Sequence, residues 1–198
     1  FLNEPNRNSY GFYLSPRYRF NDRFALNYEF DFFRQNNNKG FVDSSSNNDA
    51  LPPNAIIYAN RNIVNYTNNL NGKYSLSSKM NFNLTARYYW SYTENLNFLN
   101  LENNGRLTPN DTYSENKNQN LNTWNLDLSY NWWFAPGSQI TVLYRSNAAK
   151  YDNLINKDFG NNYTGLLNNQ DLSHVLSVSV KYFIDYNEVK NILKPVKT

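Results

Sequence analysis

Ten charged side chains recur at alternate positions of strand-like segments, and they are the residues best placed for chemistry. They are Arg17, Arg19, Glu29, Asp31, Lys73, Arg87, Asp127, Arg145, Lys181 and Asp185. Two neighbouring carboxylates such as Glu29 and Asp31 could act as a general acid–base pair. The arginines close to them in the pattern favour a structural network of ion pairs instead.

Other reactive groups are scarce. The chain has one histidine, His174, and no cysteine. A zinc centre and Cys/His nucleophilic catalysis are therefore excluded, and no Ser/His/Asp set can be assembled for a hydrolase. We predict no catalytic residue, no metal ion and no cofactor. Six acidic or amide residues loosely suggest a calcium loop, but their spacing lacks the EF-hand order and its glycine, which favours ordinary polar loops. They are Asp111, Glu115, Asp152, Asn153, Asn156 and Asp158.

Four aromatic residues in the predicted polar loops could have either a binding role or a packing role. They are Tyr113, Tyr151, Phe159 and Tyr163. Such rings could stack on sugars, or they could pack the connections against the rest of the molecule.

The elements that position these groups are β-strands. In residues 120–134, Trp124, Leu126 and Leu128 fall on one parity, and Asn125 and Asp127 fall on the other. Side chains of a strand point to opposite faces with a period of two. One face of the sheet therefore meets an apolar phase, and the other meets water.

The same alternation predicts seven strands joined in turn by short turns and long polar connections. The strands are 9–20, 24–34, 56–76, 80–92, 120–134, 138–147 and 172–186; the long loops are 35–55, 93–119 and 148–171. Pro16 suits an edge or a bulge within the first strand. No helix of consequence is predicted, although the tail 187–198 has the pattern of a turn or two.

Alternating short and long connections are typical of antiparallel outer-membrane barrels. The apolar parity is also graded, with aliphatic residues in the middle of strands and aromatic residues at both ends. The predicted lipid-interface girdle consists of Tyr18, Phe20, Phe24, Tyr88, Trp90, Tyr92, Trp124, Trp132, Phe134 and Tyr182. Rings of this kind gather at both membrane–water boundaries.

The face of the sheet that carries the charged residues is too polar to form a dry core, because one unpaired buried charge costs several kcal/mol. We therefore predict that the ten charged residues line a wet or plugged lumen. A soluble β-sandwich or β-solenoid is the alternative, and it would explain the alternation but not the other features. A mean hydropathy of −0.78 does not distinguish a soluble protein from a membrane barrel, since half of each barrel strand faces water.

Seven strands form an odd number, whereas single-chain bacterial barrels use an even one. We therefore expect the chain to be the C-terminal part of a larger barrel. The direction of the strands places 187–198 in the periplasm as a basic tail.

Four runs of sequence resemble a known family. They are RYRFNDRFALNYEF (17–30), NNLNGKYSLSSKMNFNLTARYYWSYTE (68–94), NLDLSYNWWFAPGSQITVLYRSN (125–147) and LSVSVKYFIDYNEVK (176–190). The most specific are the turn from Trp132 to Ser138 and the strand from Ala86 to Ser91. They resemble the C-terminal barrel of a Bacteroidetes-type outer-membrane family of unknown function. Its longer members carry an N-terminal family 9-like carbohydrate-binding domain. The resemblance runs from about Tyr10 to Lys190 and implies no catalytic residues.

These observations predict a non-enzymatic barrel in the outer membrane of a Gram-negative bacterium. By the resemblance, it would anchor a carbohydrate-binding domain and contribute to glycan or nutrient uptake, or to envelope function. The alternative is a structural scaffold subunit of a larger outer-membrane complex. Expected partners are outer-membrane lipid, upstream strands of the same polypeptide, other outer-membrane proteins and glycans. A net charge of +3 gives no argument for nucleic acid.

Overall fold

The computed structural model describes residues 6–168 and 172–185, which form one antiparallel sheet and one helix. The strands are Asn8–Leu14 (β1), Arg17–Arg19 (β2), Phe24–Ser44 (β3), Ile56–Ser77 (β4), Met80–Leu101 (β5), Leu107–Asn110 (β6), Gln119–Ala135 (β7), Ser138–Asp152 (β8) and Ser173–Lys181 (β9). The helix α1 is Phe159–Leu167. The predicted all-β antiparallel fold is confirmed.

The strands follow one another across the sheet in the order β1-β3-β4-β5-β7-β8-β9. β2 continues the line of β1 beside β3, and β6 pairs with the last residues of β5. Within the described ranges, β1 and β9 are the two edges and do not pair with each other. The described sheet is therefore open.

Three short turns join strands at one end of the sheet, which we call the turn end. The side-chain oxygen of Asn21 accepts hydrogen bonds from the backbone N–H groups of Arg23 and Phe24, both at 2.8 Å. Gly137 has φ +71°, and a Cβ there would lie 2.8 Å from the Cβ of Phe183. Glycine is thus required in this turn both by its backbone and by its neighbour.

At the opposite end, which we call the loop end, strands run further than the hydrophobic pattern predicted. β3 continues to Ser44 and β5 continues to Leu101, where the sequence no longer alternates apolar with polar. Polar side chains bridge these extensions, as in the 2.7 Å bond from the Asn110 amide to Asn100. Such cross-strand pairs stabilise a sheet without an apolar face.

Two local features complete the fold. Pro16 interrupts the first predicted strand, and its carbonyl accepts a 3.0 Å bond from the Tyr28 N–H before the pairing resumes in β2. The connection after β8 contains α1, which corrects the prediction that it is a loop. Asp158 caps this helix by accepting a 2.6 Å bond from the Asn161 N–H. The predicted end of the last strand at 186 and the tail 187–198 lie outside the described residues.

No helix in the described ranges is long and apolar enough to span a membrane.

Candidate functional site

The register brings nine of the ten predicted charged residues to one face of the sheet, which we call the polar face. Arg17 lies opposite Asn27, in line with Asn71, Thr85, Asp127 and Arg145. The next line of this face holds Glu29, Asn69 and Arg87, and Lys181 lies opposite Gln139. The tenth residue, Asp185, follows the end of β9. That this face lines a lumen stays a prediction.

Hydrogen bonds connect these polar side chains across strands. Arg87 donates a 2.9 Å bond from Nε to the side-chain oxygen of Asn69, and the Asn69 amide reaches Glu29 at 3.4 Å. Arg145 binds both carboxylate oxygens of Asp127, at 2.6 and 3.0 Å. The carboxylates are thus held by amides and a guanidinium, which fits the predicted ion network better than a general acid–base pair.

The opposite, apolar face is organised in rows of residues that lie side by side across the strands. Near the turn end, two rows are rich in aromatic rings: Phe24, Tyr74, Phe82, Tyr130 and Trp132. The next two rows are mainly aliphatic: Leu26, Leu70, Leu84, Ala86, Leu126, Leu128 and Leu176. Three tyrosines also lie in these rows: Tyr18, Tyr28 and Tyr144. Aromatic rings then return as Phe30, Tyr88, Trp124, Phe32, Tyr66 and Trp90. The apolar face therefore carries two aromatic belts with an aliphatic band between them.

The belt at the turn end contains five of the predicted girdle residues, and a sixth, Tyr18, lies beside it in the row of Leu26. Phe20 stacks on Phe24 with ring centroids 4.6 Å apart, and Tyr18 meets Phe20 edge-on at the same distance. Trp132 contacts Phe134, which stacks on Tyr182. Tyr18, Phe20 and Tyr182 are each more than half exposed.

The belt at the loop end contains the other four, and here the structure adds a cover. Residues 153–168, including α1, lie over Tyr88, Trp90, Tyr92 and Trp124. Phe159 of the helix meets Tyr88 edge-on at 5.3 Å. Trp90 is 1% exposed, so this part of the predicted girdle is covered by the protein's own chain.

Three buried asparagines, which we call the amide triad, lie under this cover. Asn120 and Asn122 point to the apolar face and accept hydrogen bonds from the Trp90 Nε1–H at 2.8 Å and the Tyr88 hydroxyl at 2.9 Å. Asn162 of α1 accepts the amide N–H groups of both asparagines, at 3.0 and 3.2 Å. Its own amide donates to the carbonyls of residues 156 and 158.

Sequence reasoning missed the amide triad, although it left a signal. Asn120 and Asn122 interrupt the apolar parity of β7, and a buried polar group requires a partner. The partner segment shows a helical stripe after a capping residue, with Phe159, Asn162 and Leu166 spaced by three and four positions.

A second buried polar group lies at the loop end, on the polar-face side of the sheet. We call it the Asp43 cluster. The Asp43 carboxylate accepts bonds from the Tyr113 hydroxyl at 2.8 Å and the Asn48 amide at 3.1 Å, and it pairs with Lys117 at 3.0 Å. Lys117 also pairs with Glu115 at 3.0 Å. The cluster ties the 102–118 connection to β3 and to the 45–55 connection.

The charges of the Asp43 cluster are strongly coupled. Burial alone raises the pKa of Asp43, but the hydrogen bonds from Asn48, Tyr113, Lys117 and the Ser44 N–H outweigh it and lower that pKa to about 2. Hydrogen bonds to Glu115 and Asp43 raise the pKa of Lys117 above its usual range. Burial, followed by the bond to Asp43, raises the pKa of Tyr113. The cluster is therefore an anion–cation pair held in its charged form.

Three of the four aromatic candidates from the predicted loops pack against other parts of the chain. Tyr113 packs edge-on against Phe98 at 4.7 Å, and Phe159 and Tyr163 pack on the sheet, whereas Tyr151 is 61% exposed. His174 is exposed and meets the Tyr144 hydroxyl at 2.8 Å. In the part of the chain that the structure describes, no three His, Cys, Asp or Glu side chains converge as metal ligands.

Comparison with known proteins gives one match. Neither a search of curated proteins nor a search of solved structures gives a match. A family model described as a domain of unknown function, DUF5916, matches residues 1–193. The open antiparallel sheet, with its polar and apolar faces, thus belongs to a chain that is a member of the DUF5916 family.

Proposed function

We propose that this chain forms part of the wall of a transmembrane β-barrel in a bacterial outer membrane. The observation that supports this proposal best is the order of the rows on the apolar face, which are aromatic, then aliphatic, then aromatic again. Aromatic girdles flanking an apolar band are the pattern of a barrel surface in lipid. The polar face would then line the lumen, where water solvates its charged residues.

The height of the apolar rows supports this proposal. From Met80 to Trp90, β5 advances about 33 Å at 3.3 Å per residue. Strands of such barrels tilt by 35–45°, which reduces this length to a height of roughly 25 Å. Met80 and Trp90 lie in the two belts, so this height includes the belts; it is close to the roughly 25 Å of the apolar band of an outer-membrane barrel.

The two sheet edges support the presence of further strands. β1 and β9 are exposed over their whole length, and Leu176 and Val180 of β9 are each more than 60% exposed. Unpaired backbone groups are not tolerated in hydrocarbon. We therefore propose that strands of the same polypeptide close the barrel, with this chain as its C-terminal part.

The proposed role is non-enzymatic. The polar face presents many neutral amides, and asparagine makes up about a fifth of the chain. Amides suit uncharged polar solutes because each one both donates and accepts. This supports a contribution to glycan or nutrient uptake, with a carbohydrate-binding domain anchored by the barrel, as the family resemblance implies.

A scaffold subunit of an outer-membrane complex is the second candidate. The exposed apolar residues of β9 favour it, because an edge of this kind can pair with another protein. Trp90 cannot serve such an interface, since α1 covers it, whereas Trp132 is 36% exposed and can.

The test uses the full-length protein reconstituted in phospholipid vesicles. We expect heat-modifiable migration on gels, protease resistance of the sheet in lipid, and conductance in planar bilayers. A water-soluble monomer that needs no detergent would overturn the barrel. Heat-modifiable migration without conductance at any voltage would overturn the open pore and favour the scaffold.

A further inference from the structure

Two neighbouring cavities lie on the polar face at the turn end of the sheet. The first, of about 330 Å³, is lined by Arg17, Lys73 and the small side chain of Ala25. The second, of about 460 Å³, shares Lys73 and adds Arg23 and Trp133. We call them the Arg17 cavity and the Trp133 cavity. Both volumes fall within the range of about 300–1,000 Å³ that accommodates small-molecule ligands.

The strand register places three cations around Ala25. Lys73 of β4 lies directly opposite Ala25 of β3. Arg17 lies two residues before Arg19, which is the partner of Ala25 on β2. Arg23 precedes Ala25 by two residues along the chain. Residues two apart on a strand share a face and lie about 7 Å apart. The long side chains of all three cations can therefore reach one anionic group placed over the Ala25 methyl group.

No carboxylate balances these three cations within the described ranges. None of the three forms an ion pair there, whereas the adjacent Arg19 pairs with Asp22 at 3.1 Å. Among the described residues, none of those that line either cavity is acidic. A cleft lined by charges of one sign concentrates ions of the opposite sign. The two cavities therefore favour an anionic ligand.

The Trp133 cavity also offers an aromatic ring and neutral hydrogen-bonding groups. Trp133 lies on the polar face, although its neighbour Trp132 belongs to the belt on the apolar face. The side chain of Trp133 is 39% exposed. The hydroxyl groups of Ser75 and Ser77 and the amide of Asn81 line the same cavity. A sugar ring matches this surface, because its C–H groups can pack on the indole while its hydroxyl groups bond to serine and amide side chains.

We infer that the two cavities together bind an acidic saccharide. Its acid group lies over Ala25 between Arg17 and Lys73, and its sugar ring lies against Trp133. The inference rests on the proposed function, because it names the solute whose uptake that function would serve. A neutral sugar would leave the three cations unbalanced. A flat aromatic acid would leave the serine hydroxyl groups and the Asn81 amide without partners.

The position of the cavities gives the bound solute a place on its path. Outer-membrane barrels have their short turns in the periplasm. The turn end, where both cavities lie, is then the periplasmic end of the lumen. The site would hold an acidic saccharide at the point where it leaves the barrel.

The test is a ligand-observed NMR titration of the full-length protein in detergent. The probes are glucuronate, glucose 6-phosphate, glucose and benzoate. We expect glucuronate to bind about tenfold more tightly than glucose, as expected for hydrogen bonds to a charged group, and also more tightly than benzoate. Glucose 6-phosphate shows whether a phosphate can replace the carboxylate. Equal affinity for glucuronate and glucose would overturn the role of the cations, and equal affinity for glucuronate and benzoate would overturn the saccharide.

Variants locate the site. Lys73→Gln removes the cation that both cavities share, and we expect it to weaken glucuronate about tenfold while glucose binds as to the wild type. Lys79→Gln is the matched control, because Lys79 is an exposed cation of the same end that lines neither cavity. Trp133→Leu should weaken glucuronate and glucose alike. Equal effects of Lys73→Gln and Lys79→Gln on glucuronate would overturn the assignment to these cavities.

Failure of this inference is distinguishable from failure of the proposed function. If the protein shows heat-modifiable migration in lipid but binds neither acidic sugar, the cavities are not a saccharide site and the barrel stands. If the protein is a water-soluble monomer that needs no detergent, the barrel falls, and the role of the site in uptake falls with it.

Discussion

The indole N–H of Trp90 donates a 2.8 Å hydrogen bond to the side-chain oxygen of Asn120 beneath helix α1. Both residues are buried, with Asn120 only 4% exposed. This bond allows a polar group to lie on an otherwise apolar face, because the amide of Asn120 is satisfied in turn by Asn162. The helix is thus held by polar bonds as well as by aromatic packing.

Asn162→Leu is expected to release the 153–168 segment from the sheet. The substitution removes an acceptor of two buried amides, Asn120 and Asn122, of which Asn120 keeps a longer 3.4 Å bond to the Leu154 carbonyl. A buried amide that loses its acceptor costs about 1–3 kcal/mol. We expect the opening free energy of the segment to fall by about 2–4 kcal/mol. Trypsin cleavage after Lys157 and the wavelength of the total tryptophan emission, to which the buried Trp90 contributes, measure this opening.

Asn161→Ala is the matched control, because Asn161 is exposed on the same helix. It should leave cleavage and emission as in the wild type. Equal cleavage of Asn162→Leu and wild-type protein would show that the amide triad does not hold the segment.

Leu128→Arg and Ser129→Arg form a matched pair that tests which face meets lipid. The two positions are adjacent on β7 but lie on opposite faces. A charge on the lipid face near the bilayer midplane costs about 2–4 kcal/mol, whereas lumen substitutions are tolerated. We expect Leu128→Arg to lower insertion into vesicles and Ser129→Arg to retain it. Equal loss in both variants would contradict the assignment of faces.

The Asp43 cluster should loosen in acid. The folded-state pKa of Asp43 is lowered to about 2 from 3.8, so its stabilising effect is present above pH 3.8 and is lost as the pH falls toward 2. At neutral pH the shift corresponds to about 2 kcal/mol. Asp43→Asn should therefore speed hydrogen exchange of amides 110–118 at pH 6, with a difference from the wild type that shrinks at pH 3.

Asp111→Asn serves as the control for this pH dependence, because Asp111 is an exposed carboxylate of the same connection. Its exchange rates should follow the wild type at both pH values. A difference between Asp43→Asn and the wild type that stays constant from pH 6 to pH 3 would contradict the proposed role of Asp43.

The Asp127–Arg145 pair should influence ion selectivity more than stability. Both side chains are substantially exposed on the polar face, at 40% and 50%, so water screens their attraction. Arg145→Gln leaves Asp127 uncompensated, and we expect the conductance of reconstituted protein to become more cation-selective. Thr141→Val, a neutral change on the same strand and face, is the comparison. Unchanged reversal potentials in a salt gradient would argue against a lumen at this face.

The part of the fold that could be predicted is the part in which apolar and polar residues alternate along the strands. The seven predicted strands all occur, since a period of two is visible wherever one face is apolar, and the faces of Glu29, Arg87 and Asp127 followed from parity. The short strand β6 lies in the predicted loop 93–119 and was missed, and Pro16 divides the first predicted strand into β1 and β2.

The extensions of β3 and β5 were not detected, because polar pairs such as Arg61–Asn38 and Asn110–Asn100 interrupt the apolar alternation there and leave no periodic signal. The odd number of predicted strands led us to expect a part of a larger barrel, and the described sheet is open at β1 and β9.

Helix α1 was missed for a different reason. Its sequence FGNNYTGLL contains two glycines and two asparagines, which disfavour helix in isolation. Contacts with Trp90 and Asn120 supply the stabilisation that intrinsic preference does not. The covered half of the aromatic girdle therefore depends on a tertiary contact, which parity alone cannot show.

The two long connections fold onto opposite sides of the sheet. Residues 153–168 cover Trp90 on the apolar face, while residues 102–118 cover Asp43 on the other face. The loop end thus resembles a small three-layered globular domain, whose side chains are shielded by the chain itself. The turn-end part of the sheet, from Phe24 to Leu26 and their neighbours, and the edge strands β1 and β9 leave apolar side chains such as Phe12 and Leu176 to be shielded by the surroundings. The same strands therefore run from a region in which the protein buries its own side chains to a region in which the surrounding medium must cover the apolar side chains.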